Sequence, residues 1–280
     1  MISCVIRTFN ERELIGELLN VMSAQNAGAN LEIIVVDSGS MDGTIEIVKK
    51  HKVKLIQIKK EEFNYSYALN LGIKNCTNEF ISILSGHSVP FDESWLKKMI
   101  SHFENEKVAG VYCKQIPRPS AEVYEQLRLE KTFGNESKIF DKGNLDANMQ
   151  FSNAACCIRK SVWQKHAFII MPAAEDKEWA QWAINHDYKI VYDASTEAYH
   201  SHKDSCRRTA ERIIEFEKAQ DLRNNRKRNK IFTIRQSIGW FMRDLKKIPN
   251  FKENGLKKLT LLKDCAARSF WYTYDFDRKK

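Results

Sequence analysis

The chain alternates short apolar runs with segments of helical spacing. Ile2-Ser3-Cys4-Val5-Ile6 and Glu32-Ile33-Ile34-Val35-Val36 are strand-like, and between them Leu14, Leu18, Val21 and Met22 recur at helical spacing over residues 11–26. Asn10 is expected to cap that helix, with Glu13 three residues on. A second helix is expected from Asp42 or Thr44 to about Lys50, and a third strand from Val53 to Ile58. Further on, Tyr67 to Asn75 reads as a short helix, Phe80 to Leu84 as a buried strand, Trp95 to Glu104 as a helix and Val108 to Gln115 as a strand. Strands alternating with helices predict β-α-β units and an α/β sandwich around a mainly parallel sheet.

Residues 117–150 are mixed and polar, broken by Gly134 and Gly143, and read as a long loop with a helix near Ala121–Thr132. Phe151 to Arg159 is strand-like. Asp176 to His186 is helical, with Trp179, Trp182 and Ala183 on one face, and Lys189 to Tyr192 is a last strand before Tyr199-His200-Ser201-His202. From Cys206 the pattern is helical and basic. The predicted organisation is an α/β domain over residues 1–202 and a basic helical extension over 203–280.

The chemistry collects at strand ends. The first strand ends in Arg7-Thr8-Phe9-Asn10-Glu11, and the second in Asp37-Ser38-Gly39-Ser40-Met41-Asp42-Gly43-Thr44. Open α/β sheets bind ligands at the carboxyl ends of their strands, so these clusters predict a nucleotide pocket. Asp37 can accept from the N–H of a base or close an Asx-turn on itself. Asp42 either contacts the ligand or caps the next helix, and capping is the favoured reading. Glu175-Asp176 stands at a helix start, where the helix dipole favours carboxylates.

This order of motifs resembles the inverting family-2 glycosyltransferases with the GT-A fold. The residues that carry it are Thr8-Phe9-Asn10-Glu11, the Asp37–Thr44 turn, Asn70 in Tyr67-Ala68-Leu69-Asn70, and Glu175-Asp176 followed by Trp179. The resemblance covers about residues 1–202. It implies a Rossmann-like mixed, mainly parallel sheet flanked by helices, and transfer of a sugar from a nucleotide diphosphate to an acceptor hydroxyl. It assigns Asp37 to the base, Thr8 and Glu11 to the nucleoside pocket, and Asn10, Ser38, Asn70, Ser85, Gly86, His87 and Gln115 to the rest of the nucleotide-sugar site. The general base would be Asp176, with Glu175 its neighbour. Direct displacement needs one such base and electrostatic help for the departing diphosphate.

The chain departs from the family pattern at one place. Where an Asp-x-Asp pair usually holds a divalent ion, it has Ser85-Gly86-His87, and the nearest downstream carboxylate is Asp92, beyond Pro90. In one reading His87 is a metal ligand with His200 or His202, for Mn²⁺ or Mg²⁺, the diphosphate adding oxygens. In the other no metal is needed, and His87 with basic side chains such as Arg207-Arg208 stabilises the leaving group. The chain resembles a sub-branch of the family with Ser-x-His here, Gln-x-Pro after the next strand (Gln115-Ile116-Pro117) and a His-rich segment after the acidic pair. His200 and His202, two apart, would face one way in an extended segment.

Charge adds a second theme. The net charge is +9, but Lys203 to Lys280 holds 22 Lys and Arg against 10 Asp and Glu, while residues 1–202 hold 23 against 26. The basic run Arg223–Lys230, followed by Ile231-Phe232, Ile234, Ile238, Trp240-Phe241-Met242 and Leu245, reads as a basic amphipathic helix for an anionic membrane face or as a stripe packed on the domain. Leu256 to Trp271 is expected to be another helix. No nucleic-acid recognition motif accompanies the charge. Seven scattered cysteines form no disulfide frame and no zinc pattern, and the expectation is reduced, buried thiols in a cytoplasmic protein. No apolar run reaches membrane-spanning length. The expected partners are a nucleotide-diphosphate sugar, a glycan or lipid-linked acceptor of bacterial-type surface polysaccharide synthesis (capsule, lipopolysaccharide or exopolysaccharide), the inner face of the membrane and a second copy of the chain. The competing classes are a catalytically inactive nucleotide-sugar-binding subunit and, more weakly, a nucleotidyltransferase, whose Gly-rich basic loop is missing.

Overall fold

The computed structural model describes residues 1–25, 31–144, 149–202 and 206–223, and positions 235, 238, 239, 242, 262, 263, 265–267, 269, 270 and 272 beyond them. The strands are β1 Ile2–Thr8, β2 Leu31–Asp37, β3 Lys54–Gln57, β4 Phe80–Ser85, β5 Val89–Pro90, β6 Val108–Ile116, β7 Lys138–Phe140, β8 Ala155–Arg159 and β9 Lys189–Tyr199. The helices are α1 Ile15–Ser23, α2 Thr44–Val48, α3 Tyr65–Lys74, α4 Trp95–Ser101, α5 Val123–Thr132, α6 Lys160–Lys165, α7 Glu175–Asn185 and α8 Cys206–Arg223. The sheet order is β3-β2-β1-β4-β8-β6-β9-β5, with β7 on β9. β1 runs parallel to β2 and β4, β2 to β3, and β6 to β9, while β8 joins the halves antiparallel to both β4 and β6.

Alternation along each strand sorts the core into two faces. Val5, Ile34, Val36, Ile81 and Ile83 pack against Leu69 and Ile73 of α3 and Trp179 and Ala183 of α7. Cys4, Ile6, Ile33 and Val35 face the other way, onto Leu18 and Met22 of α1 and Leu96 and Met99 of α4. Burying such a side chain contributes roughly 1.5–3 kcal/mol. Gly72 lets α3 lie close to β1, where a Cβ would overlap Val5.

Three local expectations are corrected. The first helix starts at Ile15 rather than near residue 11, with Leu14 at its N-cap, and Asn10 sits in a turn at φ 55°. The strand expected from Phe151 starts only at Ala155, because residues 151–154 turn toward the acidic pair. The last strand continues to Tyr199: a bulge opposite Cys113 and Lys114 absorbs residues 194–196, and pairing resumes at Glu197. Asp193 closes that bulge. Burial works against its charge, but hydrogen bonds from His102, Ser195 and Thr196 hold its carboxyl well below the usual range. The expected 117–150 loop contains α5 and the short edge strand β7.

The chain divides into two compact units, residues 1–119, 129–171 and 175–201, and residues 120–128, 172–174 and 202–280. In the second, Ala210 and Ile214 of α8 form a small cluster with Tyr272. Most of the basic run after Arg223 and of the apolar stripe through Trp240, Phe241 and Leu245 lies outside the described residues, as does much of Leu256–Trp271. Of that stripe, Ile238 and Met242 are helical and exposed. Cys4, Cys76, Cys113, Cys156, Cys157 and Cys265 are buried free thiols. Among the described residues no helix is long and apolar enough to cross a membrane.

Candidate active site

The first two strand-end turns are stitched together. The Asn10 amide donates to Ser40 Oγ at 2.8 Å, Glu11 N to Thr44 Oγ1 at 2.8 Å and Arg12 N to Asp42 Oδ2 at 3.0 Å, while Met41 N donates to Asn10 Oδ1 at 2.9 Å. Asp42 also accepts from Thr44 N and Thr44 Oγ1, so it is the brace of this turn and of the start of α2. Gly43 at φ 99° supplies the left-handed step that lets Thr44 enter the helix. Asp37 is fully buried, and its carboxylate accepts from Gly39 N, Ser40 N and Ser40 Oγ, the Asx geometry of its own turn.

Ser85-Gly86-His87 closes onto these turns from β4. Gly86 N donates to the Arg7 carbonyl at 2.7 Å. A Cβ on Gly86 would stand 2.9 Å from Glu11 Cγ, 3.0 Å from Thr8 Oγ1 and 3.1 Å from the Arg7 oxygen, so only glycine fits there. Beside it, His87 Nδ1 donates to Glu11 Oε1 at 2.6 Å. The His87 ring stacks on His200 with centroids 5.0 Å apart, and His200 Nδ1 donates to Gln115 Oε1 at 2.7 Å. A carboxylate and an amide oxygen can only accept, so both Nδ1 atoms carry protons, and Nε2 is the nitrogen through which either ring could ligate. His87, His200 and His202 offer ligand nitrogens that all lie within 4.8 Å of one another. Metal-binding histidines are oriented in this way, the second ring nitrogen donating to an outer acceptor. The imidazole set fits a divalent ion, with a leaning to softer metals than oxygen cages hold.

The acidic pair lies at the start of α7. Glu175 is buried and accepts from Asn153 Nδ2 at 3.2 Å, and Asp176 accepts from Asn153 N at 3.2 Å and Lys177 N at 2.8 Å. Burial first, and then the neighbouring Asp176 charge, push Glu175 up to about 7. Burial also raises Asp176, with the Asn153 and Lys177 amides opposing it. Arg7 lowers both carboxyls through its charge. The preceding Ala174 takes φ 69°, a strained conformation for a residue with a Cβ.

Arg7 and Asn153 were missed by sequence reasoning. Arg7 is a lone charge near the end of a buried strand, which was a readable signal. It stacks on Tyr65 at 4.9 Å and donates from Nη2 to Ser85 Oγ, leaving Nε and Nη1 buried without a partner. Thr8 Oγ1, Ser38 Oγ and Gln115 Nε2 are likewise buried and unpaired. Such groups cost about 1–3 kcal/mol each unless something binds them. Asn70, expected in the nucleotide-sugar site, has its side-chain amide bonded within the fold. It donates to the Phe168 carbonyl at 2.7 Å and accepts from Trp163 Nε1 at 3.0 Å, so it ties α3 to the segment after α6. Arg208 is committed to Glu211 and Glu215 of its own helix, and the Arg207 side chain lies outside the described residues.

Residues 3–165, more than half of the chain, match the model of Glycosyl transferase family 2. The chain belongs to this family. Among relatives of this family-2 glycosyltransferase, O-antigen chain rhamnosyltransferase WbaN of Salmonella anatum is 27% identical over 195 residues, 66% of this chain and 61% of that protein. A Methanococcus voltae enzyme, dolichyl N-acetyl-alpha-D-glucosaminyl phosphate 3-beta-D-2,3-diacetamido-2,3-dideoxy-beta-D-glucuronosyltransferase, is 30% identical over 161 residues, 52% of this chain and 50% of that protein. The chain thus matches between half and two thirds of the length of these two relatives. S. aureus TarS 1-349 in complex with UDP-GlcNAc superposes with TM-score 0.60 at 17% identity, covering 96% of this chain and 72% of that one. The mannosyltransferase PcManGT from Pyrobaculum calidifontis, in complex with GDP-Man and Mn²⁺, superposes with TM-score 0.56 at 17% identity, covering 99% and 73%. These neighbours show the GT-A fold.

Proposed function

We propose that this family-2 glycosyltransferase is an inverting enzyme, with Asp176 as the general base that activates an acceptor hydroxyl. The observation that carries the reading is the Glu175-Asp176 pair, Glu175 buried and Asp176 half-buried, held by Asn153 and countered by Arg7. In the reaction Asp176 takes the hydroxyl proton. The acceptor oxygen bonds the anomeric carbon as the bond to the diphosphate oxygen breaks, which inverts that carbon. A base placed this way contributes about 10²–10⁴-fold.

The donor is a nucleotide-diphosphate sugar, as in the UDP-GlcNAc and GDP-Man complexes of the structural neighbours. The unpaired Thr8, Ser38, Gln115 and Arg7 atoms suit an oxygen-rich ligand of this kind, with Asp37 and Glu11 lining its nucleoside end. His87, His200 and His202 are the residues that would hold a divalent cation, and a bound cation neutralises charge on the diphosphate. The acceptor is a glycan or lipid-linked sugar of a surface polysaccharide, as the O-antigen relative suggests. An anionic membrane face, met through the basic C-terminal region, is the proposed place of action.

The test is a panel of UDP-, GDP-, dTDP- and CMP-sugars, assayed for nucleotide release with Mn²⁺ and with EDTA, on the wild type and Asp176→Asn. Release from at least one donor, lost in the variant while nucleotide binding persists, supports the reading. Binding without release by the wild type would instead identify a nucleotide-sugar-binding subunit.

A further inference from the structure

A cavity of about 500 Å³ opens over β6 and β9. That size lies within the roughly 300–1,000 Å³ of small-molecule sites. The strand-end turns that form the donor side do not line it. Its floor is Tyr112 of β6 and Tyr192 of β9, buried side chains stacked at 4.9 Å. Its rim includes the exposed Asn135, Glu136 and Lys138, and Gln150 lines another wall. The Tyr192 hydroxyl donates to the Gly134 carbonyl at 2.6 Å, which fixes the rim turn over the sheet.

We propose that this cavity is a carbohydrate subsite that receives a sugar ring of the acceptor. The inference rests on the transferase reading above. A pyranose has an apolar C–H face and a girdle of hydroxyls that both donate and accept. Tyrosine rings suit the face, since they offer apolar area with a polar edge. The amides of Asn135 and Gln150, the carboxylate of Glu136 and the ammonium of Lys138 together offer donors and acceptors, as the hydroxyls require. A free phosphate would meet the Glu136 carboxylate, and a lipid chain would meet too many polar groups.

Position supports the same occupant. Gln150 Oε1 accepts from Lys177 Nζ at 2.8 Å, and the Lys177 amide donates to Asp176 Oδ1 at 2.8 Å. Phe151 follows Gln150 and packs between Tyr112 and Trp179, at 5.7 and 5.6 Å. The cavity wall is therefore two hydrogen bonds from the base. A glycan ring seated there would share, through Gln150 and Lys177, the wall that holds the base.

The test is saturation-transfer NMR on the full chain with the methyl glycosides of glucose, galactose, rhamnose and N-acetylglucosamine, with and without saturating UDP and GDP. At least one glycoside should receive saturation, keep it when nucleotide is added, and bind about three- to tenfold more weakly in Asn135→Ala and Glu136→Ala, the loss of a single hydrogen bond. Both positions are exposed, so the variants should fold. No saturation of any glycoside, displacement by nucleotide, or unchanged binding in both variants would overturn the subsite. Nucleotide-induced thermal shift and donor hydrolysis, read on the same samples, separate the two readings. If they persist while glycoside binding fails, the subsite alone falls. If both are absent, the transferase reading falls.

Discussion

Glu11 holds His87 by its Nδ1 at 2.6 Å, from the turn after β1 to the turn after β4. The contact does for His87 what Gln115 does for His200: it occupies Nδ1 and leaves Nε2 as the ring's ligand nitrogen. Glu11→Ala should therefore raise the Mn²⁺ concentration needed for half-maximal nucleotide release by about 10–100-fold, the usual cost of losing an outer-shell partner. His87→Ala should remove metal stimulation altogether. A Mn²⁺ titration after EDTA treatment reads both, and a wild type fully active in EDTA would show that the histidines serve the diphosphate without a metal.

Asp176→Asn keeps shape and removes basicity. Sugar transfer should fall at least about 100-fold, with the nucleotide-induced thermal shift unchanged. Glu175→Gln should fall less, because Glu175 faces Asn153 and shapes its neighbour's field. Equal losses in the two variants would move the base role off Asp176.

Much of this site was legible because its residues stand where apolar runs stop, at Thr8, Asp37 and Ser85. The acidic pair was legible for the same reason, at the start of a helix with Trp179 on its buried face. What was not legible is held by contacts distant in sequence. Asn10 looks like a helix cap, yet its turn is shaped by Ser40 and Met41, thirty residues on, which delay the helix to Ile15. Asn153 lies in a stretch that reads as strand, and only its bonds to the acidic pair reveal its use. The polar Asp193–Thr196 stretch hides the continuation of β9, since a bulge breaks the alternation that marks a strand.

Gly86→Ala and Gly134→Ala make a matched pair. The first places a methyl against the Arg7 carbonyl and Thr8 Oγ1, and the second meets nothing within 4 Å. Gly86→Ala should cost about 1–3 kcal/mol of stability and raise the donor KM, because the His87 turn must shift away from Glu11. Gly134→Ala should leave both unchanged. Chemical denaturation and donor kinetics on the two proteins check this.

The acidic pair should also mark the pH dependence of stability. Glu175 binds its proton more tightly when folded, with its value raised from 4.5 to about 7. The folded state then holds more protons than the unfolded state between these values, so stability falls as pH rises through the window and the full cost is present above it. The raised value corresponds to at most about 3 kcal/mol. Glu175→Gln should accordingly melt higher than the wild type at about pH 8, with the advantage shrinking toward about pH 4.5. Melting curves across that range decide it, and a constant offset between the two proteins would contradict the assignment.

Asn70 separates a binding role from a structural one. Its amide is spent on the Phe168 carbonyl and the Trp163 indole, and the neighbouring Ser66 and Asn64 bind the Ile169 and Met171 carbonyls in the same way. Together these bonds lay residues 168–171 along α3, just ahead of the acidic pair. Removing the Asn70 side chain leaves a buried carbonyl and an indole N–H without partners, which costs about 1–3 kcal/mol. Asn70→Ala should therefore lower the melting temperature and leave the donor KM at its wild-type value. Asn64→Ala, which also frees the start of α3, should act in the same direction. A several-fold rise in donor KM for Asn70→Ala, with stability intact, would return this residue to the nucleotide-sugar site.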